Sequence, residues 1–164
     1  MSRVARSARV GSRQRVEAIT ASKDLQSAET GELYLLDNSA GAIVITLPPK
    51  QDGAYFKFIT SDDLVGLNTK TILIRSGANF AAGNGAIAGR SITVKTNGTV
   101  TIDGDGFAKP GNNHTQFTIA HGSDATKILY AGSEVEVYCD GTNWYLNAML
   151  ISDDVGVLGK YTGS

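Results

Sequence analysis

Apolar residues along this chain recur at every second position in short runs, and glycine, proline, asparagine and aspartate separate the runs. Period two marks a strand with one face turned to a core. In "GELYLLDNSAGAIVITLPP", Leu33 and Leu35 share one side of a strand, Asp37 to Gly41 turns the chain, and Ile43, Ile45 and Leu47 alternate with Val44 and Thr46. Pro48 and Pro49 stop that strand, because proline brings no donor to a ladder. "KQDG" is a turn, and Phe56 and Phe58 then share a side of "AYFKFIT". Ile72 and Ile74 do so in "KTILIRS", as do Ile92 and Val94 in "RSITVKT" and Phe117 and Ile119 in "TQFTIAH". The soft stretch "GANFAAGNGAIAG" reads as a loop between strands. Asn97-Gly98 is a hairpin signal, since both residue types tolerate positive φ, and "TVTID" returns from it with Val100 and Ile102 on one side.

The clearest alternation is "EVEVYCDGTNWYLNAML". Val135, Val137 and Cys139 point one way, Glu134, Glu136 and Tyr138 the other, and Trp144, Leu146 and Ala148 continue the inward side. A two-residue loop would set Val137 opposite Trp144. A four-residue loop would set Cys139 there. The two registers differ by two residues, so either keeps the same face inward. No long segment of the body has helical apolar spacing. The expected fold is all-β, a compact sandwich or small barrel, which hides many apolar strand faces. A β-solenoid finds no regular repeat.

Composition adds a division of charge. Of 164 residues 41% are hydrophobic, enough for a real core, and the net charge is -1. Arg3, Arg6, Arg9, Arg13 and Arg15 stand in the first 16 residues with no acid among them. The other 148 hold 10 basic and 16 acidic groups, a balance of -6. The pattern thus divides into a basic, extended N-terminal arm over 1–29, flexible until bound, a β-rich body over 30–150, and a C-terminal tail over 151–164. The acidic body gives no reason to expect nucleic acid as a partner. Cys139 is the only cysteine, so a disulfide framework is excluded. No apolar run is long enough for a membrane-spanning helix, and no apolar stretch follows the arginines as it would in a secretory signal.

Candidate chemistry is sparse. His114 and His121 flank one strand in polar surroundings, and Cys139 alternates with core valines, without a neighbouring base to activate it. "DGDG" at 103–106 lacks the further oxygen ligands and final glutamate of a calcium loop. Asp62-Asp63 and Asp153-Asp154 read as turns rather than a catalytic pair. No nucleophile elbow and no phosphate-binding glycine loop occurs. The expectation is therefore no enzyme, no cofactor and no metal. The arginine arm is the strongest feature outside the core, because guanidinium groups bind carboxylates or phosphates bidentately.

"VITLPPKQDGAYFKF", "TVTIDGDG" and "YAGSEVEVYCDGTNWYL" resemble, in that order, a β-rich module of bacteriophage virion proteins, found in capsid decoration (head cement) proteins and in parts of tail fibres. The resemblance rests on Leu47-Pro48, Gly53, Phe56, Ile102 and Asp140 to Tyr145, within residues 30 to 148. It implies a non-enzymatic, commonly trimeric building block, made in the bacterial cytoplasm and bound on the outer capsid surface. The major capsid protein is then the partner, and the charge of the arm, apart from the resemblance, makes Arg3, Arg6, Arg9, Arg13 and Arg15 the expected contacts. A short chain without heptads fits decoration better than a fibre. In the tail, Val155, Val157, Leu158 and Tyr161 either pack on a neighbouring subunit or close the protein's own barrel. The alternative is a fibre or baseplate module that recognises a host glycan or protein through Tyr34, Tyr138 and Tyr145.

Overall fold

The computed structural model of the protein describes residues 14–65, 71–76, 87–101, 107–108, 114–121, 128–153 and 157–162. Their regular structure is almost entirely strand, in two sheets around one core, and the fold is all-β and sandwich-like, as the alternation predicts. In chain order the strands are β1 (Val16–Ile19), β2 (Lys23–Asp24), β3 (Leu33–Leu36), β4 (Ile43–Leu47), β5 (Tyr55–Thr60), β6 (Leu64–Val65), β7 (Ile72–Ser76) and β8 (Ile87–Lys95). They continue as β9 (Val100–Thr101), β10 (Phe107–Ala108), β11 (Gln116–His121), β12 (Ile128–Leu129), β13 (Glu134–Cys139), β14 (Trp144–Ser152) and β15 (Val157–Thr162). A 3-10 turn, Ser27–Glu29, lies between β2 and β3.

The larger sheet runs β1-β3-β5-β13-β14-β12-β6, with β8 paired along β14 and β9 and β10 on β8. The smaller runs β15-β11-β7-β4-β2. Ile43, Ile45, Leu47, Phe56, Phe58, Ile72, Ile74, Phe117, Ile119, Val135, Val137, Cys139, Trp144, Leu146 and Ala148 are all buried, which is the inward set read from their alternation. Between β13 and β14 the register is Cys139 opposite Trp144, so the loop has four residues. Asp140 builds it by accepting from the N–H groups of Thr142 and Asn143 at 2.8 and 2.6 Å. Trp144 is buried in the core, its ring tilted against that of Phe56 with the centroids 6.1 Å apart.

Four expectations change. On β3 the inward residues are Tyr34 and Leu36, not Leu33 and Leu35. "LYLL" is apolar on both sides, so period two finds the strand without deciding its face. Tyr34 wins because its ring packs 5.5 Å from Phe58, stacked. On β8 the small Ser91 and Thr93 are inward, while Ile92 and Val94 lie half-buried on the outer side. The strand also starts inside the glycine-rich stretch, since Ile87, Ala88 and Gly89 pair with Trp144, Tyr145 and Leu146. At the Asn97-Gly98 turn only Gly98 takes a positive φ, +83°, in a three-residue loop closed by Lys95 and Thr99.

The ends of the chain also settle into the body. Residues 16–29 stood in the arm by composition, yet β1 pairs in parallel with β3, β2 pairs with β4, and Ile19 and Leu25 are buried. Two isolated core residues are too few to show as a periodic stripe. The tail likewise turns inward as β15, which pairs with β11 from Gln116↔Thr162 to His121↔Val157. Tyr161 is buried against Phe117 at 4.9 Å, and its hydroxyl donates to the Leu146 carbonyl of the opposite sheet at 3.3 Å.

Candidate binding face

Of the arginines singled out by composition, Arg3, Arg6, Arg9 and Arg13 lie outside the described residues. Arg15 lies at the outer edge of the larger sheet, 65% exposed, and pairs with Glu32 at 3.0 Å and Glu17 at 3.4 Å. Val155 also lies outside the described residues. Val157 and Leu158 are in β15, and Tyr161 belongs to this chain's own core, which removes its side chain from any subunit contact. Cys139 is buried and accepts the Gly141 N–H at 3.4 Å, a core role. His114 is half-buried beside Tyr161. Asp63 and Asp153 accept backbone N–H groups of Ala131 and Ile128, and Asp62 that of Asp63, so these acids fasten turns. Residues 103–106 and Asp154 lie outside the described residues.

Glu17, Glu29 and Glu32 bring carboxylate oxygens within 4.8 Å of one another, a grouping the sequence did not suggest. The protein fills it with its own cations. Lys23 Nζ reaches Glu17 at 2.6 Å and Glu29 at 2.8 Å and lies 5.0 Å from the Tyr34 ring centroid, while Arg15 holds Glu17 and Glu32. The Tyr34 hydroxyl donates to Glu32 at 3.1 Å. Burial acts to raise Glu29, but the bonds from Lys23 and the Gln26 N–H, with the charges of Lys23 and Arg15, outweigh it and hold its carboxyl below the ordinary range. Burial acts against the Lys23 ammonium, and the two glutamates more than reverse that, so it titrates above its usual value. The cluster fastens β1, β2, β3 and the 3-10 turn together.

The outer face of the larger sheet is different. Cross-strand register lines up Lys57, Glu136, Asn147 and Arg90 in one row, and Tyr55, Tyr138 and Tyr145 in the next. Tyr138 and Tyr145 stack at 5.2 Å with 17° between their planes, and Tyr138 is 49% exposed. The Tyr145 hydroxyl donates to Asp140 at 3.0 Å, which raises the phenol's pKa, and Tyr55 donates to Glu136 at 3.1 Å. Arg90 Nε donates to Asn147 Oδ1 at 2.8 Å. Gly89 adds no side chain beside them. Together Gly89, Arg90, Glu136, Tyr138, Tyr145, Leu146 and Asn147 line an open cleft of about 490 Å³. Alternation places Glu136, Tyr138, Tyr145 and Asn147 outward. Gly89 ends the stretch that reads as loop, and Arg90 opens the strand "RSITVKT" on the side that alternation gave to Ile92 and Val94, so neither pointed to a face.

Tyr34 does not belong to this face: it is fully buried, whereas Tyr138 is exposed and Tyr145 half-buried. Among the described residues no helix is long and apolar enough to cross a membrane. What fold and face define is an all-β module with a scaffold core and an outward aromatic and polar surface. No protein-family model matches the chain, and no curated protein matches it.

Proposed function

We propose that the chain is a non-enzymatic structural protein of a phage virion, a decoration protein that binds the outer surface of an assembled capsid and stabilises it. The observation that carries this reading is where the basic segment joins the body. The chain enters the described structure at Gln14 and Arg15, beside β1, which is an edge of the larger sheet. Four arginines precede that edge in the sequence, attached to an otherwise acidic body. A cation-rich segment that joins the body beside a sheet edge supports this reading, because guanidinium groups bind carboxylates of a neighbouring protein surface. Two of the segments that resemble virion modules act here as scaffold. Leu47 and Phe56 are core residues, and Asp140 to Asn143 form the loop that leads into Trp144.

The mechanism is mass action: a protein that binds only the assembled shell stabilises it in proportion to concentration and affinity. A symmetric trimer, with the major capsid protein as partner, multiplies weak contacts. Co-sedimentation with assembled heads of its own phage tests the reading. The expected result is saturable binding that raises the temperature at which the heads rupture. Replacing Arg3, Arg6 and Arg9 together by alanine is expected to lower occupancy. Heads that bind none of the intact protein would reject the decoration role. Unchanged occupancy of the triple variant would reject the arm's part in it.

A further inference from the structure

We infer that the cleft between the Tyr138–Tyr145 pair and Arg90 is a saccharide site that takes a neutral pyranoside. The inference is independent of capsid attachment and draws on different residues. A pyranose has one face of C–H groups and a rim of hydroxyls. The C–H face needs an exposed aromatic surface, which the stacked and half-exposed Tyr138 and its partner Tyr145 supply. The rim needs donors and acceptors a few ångströms away in one plane. Glu136 offers an acceptor, Arg90 offers donors, and Asn147 offers both types. The bond from Arg90 Nε to Asn147 Oδ1 fixes that amide so that its NH2 group remains a donor.

The cleft is also held ready. The Tyr145 hydroxyl is tied to Asp140, and Glu136 is tied to Tyr55, so two of its walls are set by bonds within the sheet. Little side-chain ordering is then needed on binding. Gly89 lines the cleft and lets its strand lie directly against the Leu146 backbone. Its volume, about 490 Å³, suits one or two sugar rings.

Charge argues for a neutral ligand. Glu136 lines the cleft, and Glu134 and Asp140 lie further along the same strand and its turn. Lys57 is already committed to Glu134 at 3.0 Å and Glu136 at 3.4 Å. A phosphate, sulfate or second carboxylate would approach acidic groups with Arg90 alone to meet it. A nucleotide would meet the same repulsion.

The test presents the full chain to an array of neutral pyranoside oligosaccharides, with sulfated and sialylated glycans and an oligothymidylate in parallel. Titration calorimetry follows for any ligand bound. Binding of a neutral glycan, competed by the free oligosaccharide, is expected. Arg90→Ala and Tyr138→Ala are each expected to weaken it at least about tenfold, with thermal unfolding little changed for the exposed Arg90 variant. Absence of any neutral glycan, a preference for the charged ligands, or binding indifferent to both substitutions would overturn the inference. Arg90→Ala is expected to bind phage heads normally, so failure of the saccharide site and failure of capsid attachment are read separately.

Discussion

Gly89 shows how much a single absent side chain decides. A Cβ built on it would stand 1.8 Å from the Leu146 carbonyl oxygen, and its φ of +141° lies where L residues are strained. Gly98 has φ +83° with nothing within 4 Å of such a Cβ. The pair separates steric contact from backbone strain. Gly98→Ala is expected to cost about 1 kcal/mol in urea unfolding, the strain alone. Gly89→Ala is expected to cost at least about 3 kcal/mol, because the β8–β14 pairing must also move apart. Equal costs would mean that β8 yields freely. Trp144→Ala, which empties a fully buried site, is expected to cost about 3–5 kcal/mol by the same measurement. The core role of Trp144 was readable from its place in the alternation. The constraint at Gly89 was not, because it depends on a parallel partner strand more than fifty residues away.

At the scale of elements, alternation identified strands well and faces only where the two sides differ. In β13 valines oppose glutamates and the inward side is plain, whereas β3 is apolar throughout and the second half of β8 buries Ser91 and Thr93 instead of Ile92 and Val94. The β13–β14 turn carries its own acid dependence. Bonds from the Asn143 and Thr142 N–H groups, and from the Tyr145 hydroxyl, hold Asp140 below its ordinary value of 3.8. A depressed carboxyl contributes stability that is present above the unfolded value and lost as pH falls through the folded one. The same sign holds for Glu29, below its ordinary 4.5. Thermal unfolding should therefore drop in the acid range below those values. Asp140→Asn should lower the melting temperature at neutral pH and flatten part of that acid decline. An unaltered slope would show that the turn does not titrate in step with folding. Lys23→Met tests the other cluster, leaving Glu17 and Glu29 close together without the ammonium between them. A loss of about 1–2 kcal/mol is expected at neutral pH, between an exposed ion pair and a charged hydrogen bond, and the loss should shrink at low pH as Glu29 protonates.

For the whole molecule the question is where the arm ends and the body begins. Composition placed the change near residue 30, because charge and weak periodicity were the only guides there. The pairing of β1 with β3 and the burial of Ile19 and Leu25 bring residues 16–29 into the body. The difference matters for what each part does. A segment that binds another protein should be removable without harm to the fold, whereas a sheet strand should not. Deleting residues 1–13 takes away four arginines and no described strand, so the melting temperature should stay within a degree or two of the intact chain. Deleting residues 1–19 strips β1, bares the edge of β3 and empties the site of Ile19, and a loss of about 2–5 kcal/mol is expected. Sedimentation of the same three proteins reads assembly independently of stability. Under the decoration reading, the intact chain and the 1–13 deletion are both trimers, and only the deletion fails to hold phage heads. A deletion of 1–13 that sediments as a monomer would place the arm between subunits instead of between the protein and the shell, and the role of the arginines would have to be sought within the oligomer.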